Sequence, residues 1–215
     1  MIHETLLNSL LAPAEDHGRC YGVVIGIVTN NRDPDGMHRV KVRFPWLAMD
    51  DESHWARVAT SMAGNGRGAY FLPEPDDEVL VAFEHGSVEH PYVVGALWNG
   101  KDKPPENNGD GKNAHRSITS RSGHVVRLDD SDGAECIEII DKSGNNRIVI
   151  KSSANSIAIE AKGDISIKSS TGKVTIEGVG IEIKSNAGIK LQAQATLDVL
   201  ANAQVTIKGV LVNIN

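Results

Sequence analysis

The sequence predicts an all-β protein in two parts: a small Greek-key barrel, then an intertwined β-helix built from three copies of the chain. Three observations carry this. Branched apolar residues recur in pairs every eight residues through the last third of the 215-residue chain. Short alternating strands separated by turn residues fill the stretch from Tyr21 to Trp98. Aromatic rings and prolines stop before the repeat begins, the last being Trp98 and Pro105.

The repeat consists of Ile148/Ile150, Ile157/Ile159, Ile165/Ile167, Val174/Ile176, Ile181/Ile183, Ile189/Leu191, Leu197/Val199, Val205/Ile207 and Val212/Ile214. The first members of successive pairs lie 9, 8, 9, 7, 8, 8, 8 and 7 residues apart, a mean of 8.0. Apolar–x–apolar is the period-2 mark of a strand with one covered face. β-Branched residues suit strands better than helices. Between pairs lie small and polar residues such as KSSANS and KSNAG, which read as turns. Each octad is therefore one short strand and one corner. One chain supplies only one wall per layer, so the simplest closure is three chains around a threefold axis. The expected trimer core is the first eight pairs, Ile148 through Ile207. With strands about 4.8 Å apart, nine layers make a rod of about 4–5 nm. A β-sandwich also repeats strands every 8–12 residues. Its strands are longer, however, and its core usually holds aromatics.

Four segments follow from these patterns. Residues 1–19 form an N-terminal arm, in which ETLLNSLL (Glu4 to Leu11) reads as a short amphipathic helix ended by Pro13. Residues 20–100 form the barrel. YGVVIGIVTN is a strand, NRDPDG a turn, and HRVKVRFPW a strand stopped by Pro45. SHWARVAT follows, then a glycine-rich loop, then DEVLVAFEHG and PYVVGALWNG. Residues 101–120 are a polar Pro/Gly/Asn linker. Residues 121–215 form the β-helix, which GHVVRLDD and ECIEII lead into.

Charge and cysteine narrow the function. The formal charge of −6 is unevenly spread. From Arg147 onward 8 Lys/Arg face 5 Asp/Glu, and the first 146 residues hold 14 against 23. An acidic body is a poor binder of a phosphate backbone, so no nucleic-acid partner is expected. Trp46, Trp55, Tyr70, Phe71 and Trp98 then read as core or interface residues, not base-stacking platforms. Cys20 and Cys136 are far apart without metal spacing and read as reduced, buried residues. No secretory signal opens the chain and no 18-residue apolar run spans a membrane. Synthesis in the cytoplasm is expected, with delivery outside as part of a particle.

Catalytic chemistry has weak support. His115, Ser117, Ser120, Ser122 and His124 offer a nucleophile and a base, but no recognised active-site frame surrounds them. AGNGRG lacks a GK[ST] sequence and a following helix, so it reads as a tight turn at the barrel rim. No enzyme activity, metal or cofactor is expected.

Three strings in order carry a family resemblance. GIVTNNRDPDGMHRVKVRFPW and SHWARVATSMAGNGRGAYFLPEPDDEVLVAFEHGSVEHPYVVGALWNG resemble the OB-fold domain of the VgrG and phage baseplate spike family. TSRSGHVVRLDDSDGAECIEIIDKSGNNRIVI resembles that family's entry into the β-helix. Asp76-Asp77 stands where the family commonly has Gly-Asp, and GSVEHP replaces a tighter turn. The resemblance implies a homotrimeric central spike of a contractile injection system, phage tail-like, type VI-like or extracellular. It implies a separate hub, seated through the OB-fold and N-terminal arm, and transient contact with the target membrane. Some family spikes end in histidines that hold iron; here no histidine follows His124. The resemblance instead implies a PAAR-type tip protein docked on Val210, Leu211, Val212, Asn213, Ile214 and Asn215. The alternative is a trimeric β-helical fibre or carbohydrate-binding adhesin module, although the repeat carries no aromatic residue to stack on sugars.

Overall fold

The structure is a computed structural model that describes residues 18–47 and 52–213. The expected helix at Glu4 to Leu11 lies outside the described residues. The chain divides into two compact units, Met1–Ile159 and Glu160–Asn215. All regular structure among the described residues is β apart from one 3-10 turn, Glu84–Gly86.

The barrel is built from β1 (Val23–Asn30), β2 (Arg39–Arg43), β3 (Ala56–Val58), β6 (Glu78–Phe83) and β7 (Pro91–Leu97). The ladder closes in the order β1-β2-β3-β7-β6, with β3 and β7 parallel and the other pairs antiparallel. A five-stranded Greek-key barrel closed in this way is an OB-fold. Alternation builds its core. Val40 and Val42 point inward from β2 while Arg39, Lys41 and Arg43 point outward. Val28, Phe44, Ala56, Val79, Val81, Phe83 and Val93 complete the buried cluster. Each buried valine contributes about 1.5–3 kcal/mol relative to exposure. Gly26 occupies an inward position of β1, and a Cβ there would stand 3.2 Å from Val81 Cγ2. Its missing side chain makes room for the opposite wall.

Turn chemistry fixes the register. Asp33 accepts from the backbone N–H groups of Asp35, Met37 and Arg39. The Arg39 guanidinium donates to both of its carboxylate oxygens, at 2.8 and 2.6 Å. The guanidinium, first of all, and the three N–H groups hold the Asp33 carboxyl well below the usual range. The glycine-rich loop forms a small hairpin, β4 (Ala63–Gly64) and β5 (Arg67–Gly68), turning at Asn65-Gly66. Gly68 is required there, because a Cβ would lie 2.7 Å from the Met62 carbonyl oxygen.

A second sheet follows within the same unit: β8 (His115–Thr119), β9 (Val125–Asp129), β10 (Cys136–Ile140), β11 (Arg147–Lys151) and β12 (Ser156–Glu160). These five strands form a meander in the order β12-β11-β10-β9-β8. The sheet thus occupies a stretch that the sequence divides between linker and β-helix. Its turns are held by carboxylates. Asp141 accepts from the Ser143 hydroxyl and from the backbone and side chain of Asn146. These donors, Ser143 foremost, lower its pKa to about 2.

In the second unit, residues 161–213 contain no paired strand. The backbone bends at 162–163, 170–172, 179, 186–187, 194–195, 202–203 and 210. Every bend falls between two of the apolar pairs.

Candidate assembly faces

Register decides which side chains share a face of the second sheet. Ile137 stands opposite Leu128 on one side and Ile150 on the other. Ile139 stands likewise between Val126 and Ile148, and Ile118 lies across from Val126. These seven residues, all apolar, lie on one face and are all exposed in the single chain. Ile157 and Ile159 share one face of β12 and are 70% and 60% exposed. The opposite face carries Ser117, Arg127, Glu138 and Val149. Val149 there is 5% exposed. The chain thus partly covers the polar face, where Ser117, Arg127 and Glu138 are half-buried, and leaves the apolar one bare.

The expected core residues Ile148, Ile150, Ile157 and Ile159 therefore sit on antiparallel strands and are exposed, not buried, within one chain. The same face extends to Ile118, Val126, Leu128, Ile137 and Ile139, which fall outside the octad spacing. VVRLD and CIEII also alternate, but their longer separation hides them from an eight-residue rhythm.

The twelve expected core residues of the second unit are likewise not buried within the chain. The first members of the six pairs, Ile165, Val174, Ile181, Ile189, Leu197 and Val205, are between 49% and 57% exposed. The second members, Ile167, Ile176, Ile183, Leu191, Val199 and Ile207, are between 64% and 75% exposed. One chain therefore does not make the expected core from these residues. The physical reason is that each octad bends before a second wall of the same chain can face it. The second member is the more exposed in each of these six pairs, which reflects one geometry repeated through the second unit. Val210, Leu211 and Val212 are also exposed. Asn213 is exposed too, whereas Ile214 and Asn215 lie outside the described residues.

Bare apolar surface of this extent is unusual on a soluble monomer and marks a contact site. The backbone makes a second demand. N–H and C=O groups of β-forming residues pair with a ladder or remain in water. Residues 161–213 have neither strand partners nor side-chain cover within one chain.

The aromatic residues of the barrel region divide. Phe44 and Phe83 are in the barrel core, with ring centroids 5.5 Å apart. Trp46, Tyr70, Phe71 and Trp98 are exposed and not core. Trp55 lies between Arg39 and Lys41, whose cationic groups are 5.8 and 5.7 Å from its ring centroid. Cys20 and Cys136 are free but only half-buried, because the first packs at the edge of the core and the second on a partly open sheet face. Ser120 and Ser122 hydroxyls lie 3.3 Å apart in the β8–β9 turn, and Ser120 Oγ accepts from the His124 backbone. Their hydrogen bonds serve the turn. Asp76 has φ of 76°, the left-handed region where glycine is at ease. This accounts for the glycine that the family commonly carries at this position.

Residues 24–98, which span the barrel from β1 through β7, match the family model of the type VI secretion system/phage-baseplate injector OB domain. The barrel is thus similar to the OB domain of type VI and phage-baseplate injectors. Curated relatives agree, all from Pseudomonas aeruginosa. Type VI secretion system spike protein VgrG1a is 27% identical over 138 residues, covering 59% of this chain and 22% of that protein. VgrG4b is 32% identical over 112 residues, 48% of this chain and 14% of the relative. VgrG5 is 36% identical over 87 residues, 39% and 11% respectively. The chain thus spans about a fifth or less of the length of these relatives.

Proposed function

We propose that the chain is the homotrimeric central spike of a contractile injection system. The observation that carries this reading is the coexistence of a baseplate-type OB barrel with a long run of apolar pairs that one chain leaves uncovered. Three chains supply both missing elements, backbone partners for the octad strands and a shared apolar interior. The role is mechanical and not enzymatic. A trimer whose strands pair between chains resists unfolding, since no chain detaches without breaking contacts to two others. The barrel and N-terminal arm seat the trimer on a hub, and the rod carries contraction force into the target envelope. Val210 to Asn215 form the platform for a PAAR-type tip protein, because an open β-helix end exposes apolar strands and unpaired edges. The membrane is met only during firing.

Co-purification tests the reading. The full chain, expressed with a candidate hub and a PAAR-repeat protein, is expected to retain both. Deleting Val210 to Asn215 should leave the oligomer intact and release the tip protein alone. Retained binding would move the docking surface elsewhere. Failure to hold any hub would favour the fibre reading.

A further inference from the structure

The polar face of the second sheet holds a charge cluster that the spike role leaves unused. His115 opens β8, and its imidazole lies between two carboxylates. Nδ1 is 2.6 Å from Glu106 Oε2 and Nε2 is 3.3 Å from Asp129 Oδ2. Glu106 belongs to the connector that leads from the barrel to β8. It is bound further by the Ser117 hydroxyl and by Arg127 Nε at 3.4 Å. Arg127 also reaches Glu138 Oε2 at 3.4 Å. Asp129 accepts from the Ser131 backbone N–H at 2.9 Å.

A neutral imidazole has one N–H and one lone pair. It satisfies only one of the two carboxylates and turns its lone pair toward the other. The imidazolium donates to both at once. The cluster then contains His115, Arg127, Glu106, Asp129 and Glu138, two cations against three anions. Asp110 and Lys112 lie on the same connector, whereas the Arg116–Asp130 pair at 2.6 Å belongs to the opposite face of the sheet, where Arg116 stands across from Leu128. Loss of the His115 proton would leave three carboxylates facing Arg127 alone.

We propose that His115 is a protonation-dependent latch that fastens the connector, residues 104–113, onto the sheet. The side of the pH scale on which it opens follows from the partners. The carboxyl groups of Glu106 and Asp129 are both held below their usual range, first by Ser117 and by Ser131 respectively. They keep their charge to lower pH than free carboxyl groups do. Histidine is the side chain that changes charge between about pH 5 and 8. The latch is therefore closed while the imidazole carries its second proton and opens when that proton is lost. Opening frees Glu106 and widens the groove of about 830 Å³ that the connector lines with Trp98, Pro105 and His115.

Amide hydrogen exchange on the full-length protein tests this, read on residues 107–113 at pH 5.5 and 8.5 and corrected for intrinsic exchange. Protection of the wild-type connector is expected to fall about two- to fivefold on going to the higher pH, with barrel strands unchanged. His115→Gln should show the low protection at both values, because a glutamine amide carries no titratable proton. His124→Gln serves as the control and should keep the wild-type difference. Wild-type protection independent of pH would overturn the latch. So would a pH effect that survives in His115→Gln, since another group would then be responsible. If His115→Gln does not fold, the same comparison is made with Asp129→Asn, whose pH difference should shrink; an undiminished difference would overturn the proposal equally.

Discussion

The barrel and the octad region are written in the same residues yet end in opposite environments. Val40 and Val42 in β2 are completely buried. Ile165 and Ile167 obey the same apolar–x–apolar rule and are more than half exposed. The difference lies in closure. Five strands of the barrel curl until the first pairs with the last, so each inward side chain meets the opposite wall. Beyond Glu160 an octad bends away after one short extended segment and meets no second wall in its own chain. Alternation states which side chains require cover; topology determines whether the chain provides it.

The comparison breaks most sharply where charge enters the uncovered face. Replacing Ile167 and Ile183 together by Asp is expected to abolish assembly, since three copies would bring six carboxylates into an apolar interior. The barrel should remain folded, as seen in Trp fluorescence, while the mass in solution falls to that of one chain. An unchanged oligomer would mean that these residues face water.

The barrel should respond in the converse manner. Val81→Ala is expected to cost about 2 kcal/mol of barrel stability by opening a cavity among Val28, Val42 and Phe44. Denaturant melts check this, and the oligomeric mass should not change at low denaturant. Gly26→Val should cost a similar amount, about 1–3 kcal/mol, by overpacking against Val81.

A smaller effect, of opposite sign, is expected at the β6 entrance. Asp76→Gly should stabilise the barrel by about 1 kcal/mol, because it relieves a left-handed backbone that a side chain disfavours. The Asp33–Arg39 clasp gives a pH dependence. The folded Asp33 carboxyl titrates below its unfolded value, so its contribution is complete above that value, about pH 4, and fades as pH falls further. Asp33→Asn should flatten the acid limb of barrel stability between about pH 4 and 2. The smallest effect is at Arg121, which is exposed and pairs with Glu74 at 2.8 Å. Arg121→Ala is expected to change stability by less than about 0.5 kcal/mol.

Much of the barrel was legible in advance. HRVKVRF alternates cleanly, Pro45 ends it, and NRDPDG announces the Asp33 turn. The second sheet was less so. Ile148/Ile150 and Ile157/Ile159 fit the octad rhythm, yet an antiparallel meander and a β-helix wall show the same alternation. His115–Thr119 was hidden behind a run of Pro, Gly and Asn that reads as linker. Nor did the sequence show that Glu106 and Asp129 meet at His115. That contact depends on the register of β8 with β9 and on the path of the connector, and no local pattern records either. In the octads the rhythm of pairs such as Val174/Ile176, Ile189/Leu191 and Leu197/Val199 was plain, but their exposure in one chain was not, because alternation is silent on which chain provides the cover.

The central claim is that the octads find their missing cover in two further copies of the chain. Light scattering on a sizing column tests it directly. A mass of about three times 23.1 kDa is the predicted result. A stable monomer of 23.1 kDa that keeps its β spectrum would contradict it, because the apolar pairs would then be covered within one chain.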